Sequence, residues 1–221
     1  MCDVRHSYRA ARVSAEPLPI AVLVSGEGTN LQALLDRVHG GAARIVAVAS
    51  SRRDARGLQR ARAAGVAAEA FERSAYPGRA ERDDALAGWL LERGARLVVL
   101  AGYMELLGEA FLERFPDGVV NVHPSLLPAF PGLAAVEQAL AYGVRVFGVT
   151  VHYVDGGMDT GPVILQGAVE LPGAREPSEV MAAIRPIEHD LLVTAVELAA
   201  AGRLRPDPAN PRRIAIVEAD G

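Results

Sequence analysis

Short apolar runs alternate along the chain with longer stretches whose apolar positions recur every three to four residues. Ile20–Val24, Ile45–Ala49 and Leu97–Ala101 are almost uniformly apolar, the pattern of strands buried on both faces. Val66–Phe71 predicts a weaker strand, and Val119–Val122 predicts one that runs into a polar loop at His123–Pro131. Val144–Val154 and Val163–Val169 predict two strands around a loop at Asp155–Pro162, and Arg212–Val217 predicts an edge strand. Helical spacing fits Leu31–Val38, Asp54–Ala64, Glu105–Phe115, Ala134–Tyr142 and most of Glu176–Ala201. It also fits Arg79–Arg93, a charged helix with Trp89 and Leu90 turned inward. Strands alternating with helices predict an α/β fold, a mostly parallel twisted sheet of Rossmann-like type with helices on both faces. Such sheets bind ligands beyond the carboxyl ends of their strands. The loops after Val24, Ala101, Val122 and Val154 are therefore expected to converge. No repeat or linker divides the chain, so residues 18–221 are expected to form one domain behind a disordered N-terminal extension, residues 1–17.

Composition narrows the classes of function. Half of the residues are hydrophobic but only 5% aromatic, which suits a sheet core of Val, Leu, Ile and Ala. The formal net charge of −4 and a pI near 5.8 argue against a nucleic-acid partner, which calls for a basic face. There is no Lys, so any phosphate must meet Arg, backbone N–H groups or polar side chains. The single cysteine, Cys2, excludes a disulfide framework and a cysteine-rich zinc site. No apolar run reaches the roughly 18 residues of a membrane span, and the first 17 residues lack the apolar core of a signal peptide. The expected setting is the cytoplasm, with no membrane partner; a homodimer is left open.

Three segments carry candidate chemistry. Ser25-Gly26-Glu27-Gly28-Thr29-Asn30 joins the first strand to the first helix. Its glycines permit a tight turn, and the free N–H groups of a helix start attract an anion. A P-loop ending and a third glycine are both absent, so the loop suits a single phosphate, or is only a tight turn that starts a helix. Glu27 would repel a phosphate unless its carboxylate points away. In Asn121-Val122-His123, two polar side chains share one face of a buried strand, a costly arrangement unless they are satisfied. The third segment, His152 to Gly161, is a glycine-rich loop with carboxylates. An imidazole, an amide and a carboxylate from converging loops can run acyl-type chemistry without a metal. No histidine pair has metal spacing, Ser25 lacks a nucleophile elbow, and His6 lies in the N-terminal extension. His39 is expected to act as a charge at a helix C-terminus, and His152 as a structural or a catalytic group.

From about Ile20 to Gly202 the chain resembles the glycinamide ribonucleotide formyltransferases that use 10-formyltetrahydrofolate. The segments that carry the resemblance are Ser25–Leu34, Asp54–Leu58, Leu100–Met104, Asn121–Gly132, Gly148–Val154 and Asp159–Gln166. The resemblance implies a formyltransferase of purine synthesis. Its partners would be two small molecules, glycinamide ribonucleotide and, as co-substrate, 10-formyltetrahydrofolate, with no metal. It further implies that Gly28, Thr29 and Asn30 hold the substrate phosphate. Arg185 and Glu188 would contact phosphate and ribose hydroxyls from one helix face. Met104, Glu105, Leu106 and Leu107 would line the folate pocket, largely through backbone, with Arg79 at its outer part. Asn121 would contact the formyl group, His123 would be the catalytic acid, and Asp159 would tune it.

The chain departs from the family at two places. Ala134 stands where many members carry His or Asn, and Pro186 should interrupt a helix or open a new one. Two other functions compete. A formyltetrahydrofolate hydrolase would usually carry an added N-terminal domain, for which 17 residues are too few. An inactive nucleotide-binding relative has no reason to keep Asn121, His123 and Asp159 together.

Overall fold

A computed structural model describes residues 16–115 and 117–218. Residues 1–15, most of the expected N-terminal extension, lie outside the described residues. β1 (Leu18–Val24), β2 (Ala43–Ser50), β3 (Ala67–Ala70), β4 (Leu97–Leu100) and β5 (Val119–His123) lie parallel in the order β3-β2-β1-β4-β5. The sheet continues through β6 (Val146–Tyr153) and β7 (Val163–Glu170), where both new pairings are antiparallel. β9 (Asn210–Ile216) joins β7 in parallel, and β8 (Leu204–Asp207) pairs with β9 in the opposite sense at the edge. The helices are α1 (Thr29–Arg37), α2 (Arg56–Ala63), α3 (Arg79–Glu92), α4 (Glu109–Leu112), α5 (Ala135–Tyr142) and α6 (Pro177–Ala200).

The two faces of the sheet are covered unequally. On one face, Leu34, Leu58, Val136 and Leu192 from α1, α2, α5 and α6 pack against Val22, Val48, Val99 and Val149. On the other, Leu86 and Leu90 of α3 and Phe111 of α4 pack against Leu23, Ala47, Val98 and Val119. No residue of β6 or β7 belongs to this second cluster among the described residues. The second face is thus roofed by helices only as far as β5, and polar side chains on β5 and β6 emerge beside the roof. The strand order reverses between β1 and β4, the switch point at which open α/β sheets leave a crevice.

Several expectations need correction. Glu105–Phe115 is not one helix: only Glu109–Leu112 is helical. The Leu106 carbonyl and Gly108 N–H are engaged by Arg82 and Asp83 instead of by helical partners. Pro186 neither stops nor starts a helix, because α6 runs unbroken from Pro177 to Ala200. Pro186 and Ala182, whose carbonyl loses its helical partner, both lie on the exposed side, so that carbonyl is open to solvent. His39 is not a C-terminal charge, since its Nδ1 accepts a hydrogen bond from Ile45 N at 3.1 Å. β8 was invisible in its sequence, Leu204-Arg205-Pro206-Asp207, which has no strand-like alternation. The loop after Val154 leaves from the amino end of β5, because β6 runs antiparallel and Val154 N bonds Val119 O. It reaches the site by folding back across the sheet.

Candidate active site

Side chains alternate along β5, so Val120 and Val122 enter the core while Asn121 and His123 take the other face. Register across β6 sets His152 beside Asn121 and Thr150 beside His123. This is the stretch of sheet the helices leave uncovered, and the fold-back loop covers it. The loop is closed by Tyr153 N donating to Pro162 O at 2.9 Å. Asp155 Oδ1 accepts from Gly157 N and Thr160 Oγ1 within it. Asp159 sits at its apex in the left-handed region, φ 53°.

The Asp159 carboxylate is the hub of the cluster. Oδ2 accepts from Gly132 N at 2.7 Å and lies 3.4 Å from His123 Nδ1. Oδ1 lies 3.4 Å from Asn121 Nδ2 and 3.5 Å from His152 Nε2. The remaining ring nitrogens meet carbonyls, His123 Nε2 at 2.9 Å from Phe130 O and His152 Nδ1 at 2.7 Å from Tyr153 O. His123 therefore faces an acceptor at each nitrogen. Burial pushes Asp159 up, but hydrogen bonds from His152 and Gly132 N–H and the nearby imidazole charges outweigh it and hold the carboxyl at about 2. The loop carrying Phe130 is itself fixed from β6 and β7. Thr150 Oγ1 donates to Ser125 O and accepts from Leu127 N, and Gln166 Nε2 donates to both Leu127 O and Thr150 Oγ1.

At the turn after β1, Gly28 adopts φ 71°, and a side chain there would stand 2.7 Å from Gly57 Cα. Only glycine fits both demands. No side chain caps α1, which leaves its first-turn N–H groups, at Thr29 and Asn30, open to an external anion. Glu27 does not oppose this: its exposed carboxylate is turned to Arg56, 3.3 Å away. Arg60 donates to Glu27 O and to Gln32 Oε1, bracing the turn from α2. Across from the turn, α6 presents Arg185 exposed and Glu188 buried, one helical turn apart. Glu188 is hydrogen-bonded to Asn30, whose Oδ1 is buried without a partner. Burial pushes the Glu188 carboxyl up to about 7, against the opposing pull of Arg185 and Asn30.

The loop after β4 lies beside that turn, because β4 is the neighbour of β1. Met104 N donates to Ser25 Oγ at 2.9 Å, joining the two loops directly. Met104 and Leu106 are 64% and 58% exposed, more than loop packing alone explains, while Leu107 packs into the α3 side of the core. Glu105 turns back to Arg82 at 2.9 Å. Arg79, the first residue of α3, is exposed on the surface.

The structure thus brings Asn121, His123 and Asp159 within hydrogen-bonding reach. It joins Asn30 to Glu188 and ties Met104 to the turn before Gly28. Sequence reasoning left His152 undecided and missed the Gly132 N–H, the Phe130 carbonyl, Ser25 and Arg82. A polar strand residue two places from Thr150 was the only signal for His152, and its pairing with Asn121 depends on a register the sequence does not carry.

Residues 18–196 match the formyl transferase family. The chain is 39% identical to the phosphoribosylglycinamide formyltransferase of Haemophilus influenzae over 188 residues, 84% of this chain and 89% of that protein. It is 41% identical to the enzyme of that name from Mycobacterium tuberculosis, over 81% of this chain and 84% of the other. The crystal structure of glycinamide ribonucleotide transformylase 1 from Symbiobacterium toebii superposes with a TM-score of 0.88 at 45% identity, covering 96% of this chain and 100% of that one.

Proposed function

The chain belongs to the formyl transferase family, and from that premise we propose that it formylates the amine of glycinamide ribonucleotide in purine synthesis. 10-Formyltetrahydrofolate is the formyl donor. The observation that carries this reading is the meeting of Asn121, His123 and Asp159 on the stretch of sheet that the helices leave uncovered, in a sheet that also offers an uncapped helix start after β1.

The chemistry follows from what each group can do. When the amine attacks the formyl carbon, negative charge grows on the formyl oxygen. Asn121 Nδ2–H and the His123 imidazolium are the donors for that charge, a class of effect worth roughly 3 kcal/mol per donor. Asp159 balances the imidazolium and holds it in place through Gly132. The attacking amine sheds one proton as its C–N bond forms, and the departing folate nitrogen takes one up as its C–N bond breaks; the His123 ring beside Asp159 carries that proton between them, directly or through a water. Gly28, Thr29, Asn30 and Arg185 take the phosphate, and Glu188 accepts from ribose hydroxyls. Exposed Met104 and Leu106, with the backbone of 104–107, suit a flat heteroaromatic edge, and Arg79 suits the acidic tail of the folate. Both substrates are metabolites of one-carbon and purine chemistry, which supports a cytoplasmic setting.

Purified protein with both substrates, followed by folate absorbance, tests the proposal. Release of tetrahydrofolate that depends on the ribonucleotide amine is expected. Release without the amine would make the protein a hydrolase, and binding of both without release would make it inactive.

A further inference from the structure

The loop after β4 has no regular structure from Ala101 to Gly108, yet it is held at three successive backbone and side-chain points by one buried pair on α3. Arg82 is 1% exposed, which is exceptional for a guanidinium. Its Nε and Nη2 lie 3.1 and 2.7 Å from Asp83 Oδ1, and its Nη1 lies 2.9 Å from Glu105 Oε2. Nη2 also donates to Leu106 O at 2.9 Å, while Asp83 Oδ2 accepts from Gly108 N at 2.8 Å. Each contact consumes a group on the loop that would otherwise seek a helical partner or water. The outcome is a loop whose carbonyl at 106 points inward and whose Met104 and Leu106 side chains point outward. A buried charge fully bonded in this way is worth little as net stability, but it fixes one geometry, because any other leaves a charge unpaired.

We propose that Arg82, with Asp83, is a positioning residue for folate binding: it sets the shape of the 104–107 loop without touching either substrate. The inference rests on the reading that this loop lines the folate pocket. It gives α3 a second part in folate binding, beside Arg79 at its first turn and apart from its packing over the core. The phosphate turn is braced separately, from α2 through Arg60, so the two substrate sites have independent supports. Met104 N to Ser25 Oγ is the direct bond between them.

The test is steady-state kinetics on the full chain, with KM measured for each substrate at saturation of the other. Arg82→Met keeps the bulk and removes the donors. It is expected to raise the folate KM roughly tenfold or more while the ribonucleotide KM stays within about twofold. A purely structural role would lower the active fraction, and so kcat, without separating the two KM values. Should Arg82→Met fail to fold, Glu105→Gln removes the charge of the partly buried partner and must still raise the folate KM selectively. Arg82→Lys should recover part of the loss, since it restores the charge but not the fork to Asp83 and Leu106. Equal KM values in wild type, Arg82→Met and Glu105→Gln would overturn the proposal. Met104→Ala with Leu106→Ala separates it from the reading beneath it. If that pair raises the folate KM and the Arg82 variants do not, the positioning role alone is wrong. If that pair leaves the folate KM unchanged, the loop is not the folate wall and both fall.

Discussion

Burial alone would push the Asp159 carboxyl up, yet hydrogen bonds from His152 and Gly132 and the imidazole charges bring it to about 2. A carboxyl lowered on folding stabilises fully above its ordinary value of 3.8 and loses that contribution as pH falls through about 2. Asp159→Asn should therefore cost about 2 kcal/mol at pH 7, with the gap to wild type narrowing at pH 3, in urea titrations. It should also lower kcat by roughly 100-fold, because the His123 ring loses the carboxylate beside it. Glu188 runs the other way. Burial raises it to about 7, so its protonated form is favoured by the fold. That contribution is complete below 4.5 and is lost as pH rises through about 7. Glu188→Gln should match wild type at pH 4 and exceed its stability by about 3 kcal/mol at pH 8, in denaturant titrations at each pH. The same variant should raise the ribonucleotide KM if Glu188 accepts from ribose. Arg185 stands exposed one turn earlier on α6, in a chain without Lys. Arg185→Ala should raise the ribonucleotide KM about tenfold and leave the folate KM unchanged; equal effects on both would remove Arg185 from the phosphate site.

At the scale of elements, α6 is the instructive case. It starts from a reciprocal capping box between Glu176 and Glu179 and continues beyond Pro186 for nearly four turns. Fourteen residues beyond the proline carry enough buried surface, at Leu192, Val193 and Val196 among others, to hold the helix together. Pro186→Ala would restore an N–H to the Ala182 carbonyl and raise stability by about 1 kcal/mol or more, read as a higher Tm. The segment after β4 shows the converse. Its helical pattern reaches back to Glu105, but Arg82 and Asp83 offer the backbone better partners, and only Glu109–Leu112 coils. α5 begins at Ala134 in the left-handed region, φ 56°, a conformation that costs an alanine roughly 1–2 kcal/mol. Asn tolerates that conformation better than Ala.

For the whole molecule, the decisive feature is the mismatch between sheet and helical cover. Among the described residues, nine strands are roofed on one face almost throughout and on the other only to β5. The uncovered stretch needs another lid, and the fold-back loop with Asp159 supplies it. The polar cluster and the gap in the roof therefore coincide by construction. The described hydrophobic cluster starts at Leu18. Removing residues 2–15 should thus leave both Tm and turnover within error of the full chain, and a drop in either would extend the folded unit toward the N-terminus.

Local patterning determined most of the strands and helices, because an apolar run or a helical stripe is a property of neighbours in sequence. It also identified Asn121 and His123 as companions, since alternation along one strand decides which side chains share a face. The turn at Gly28 was legible for the same reason, as a positive φ is a demand of the local backbone; its close approach to Gly57 was not. Only tertiary structure could decide the rest. The antiparallel sense of β6, the pairing of His152 with Asn121, and the path of Asp159 back over the sheet depend on register and on the space left by α3 and α4. The capture of the 104–108 loop by Arg82 likewise joins groups more than twenty residues apart. Such contacts leave no period in the sequence, because their energy comes from the removal of water around groups that meet only once the chain has folded.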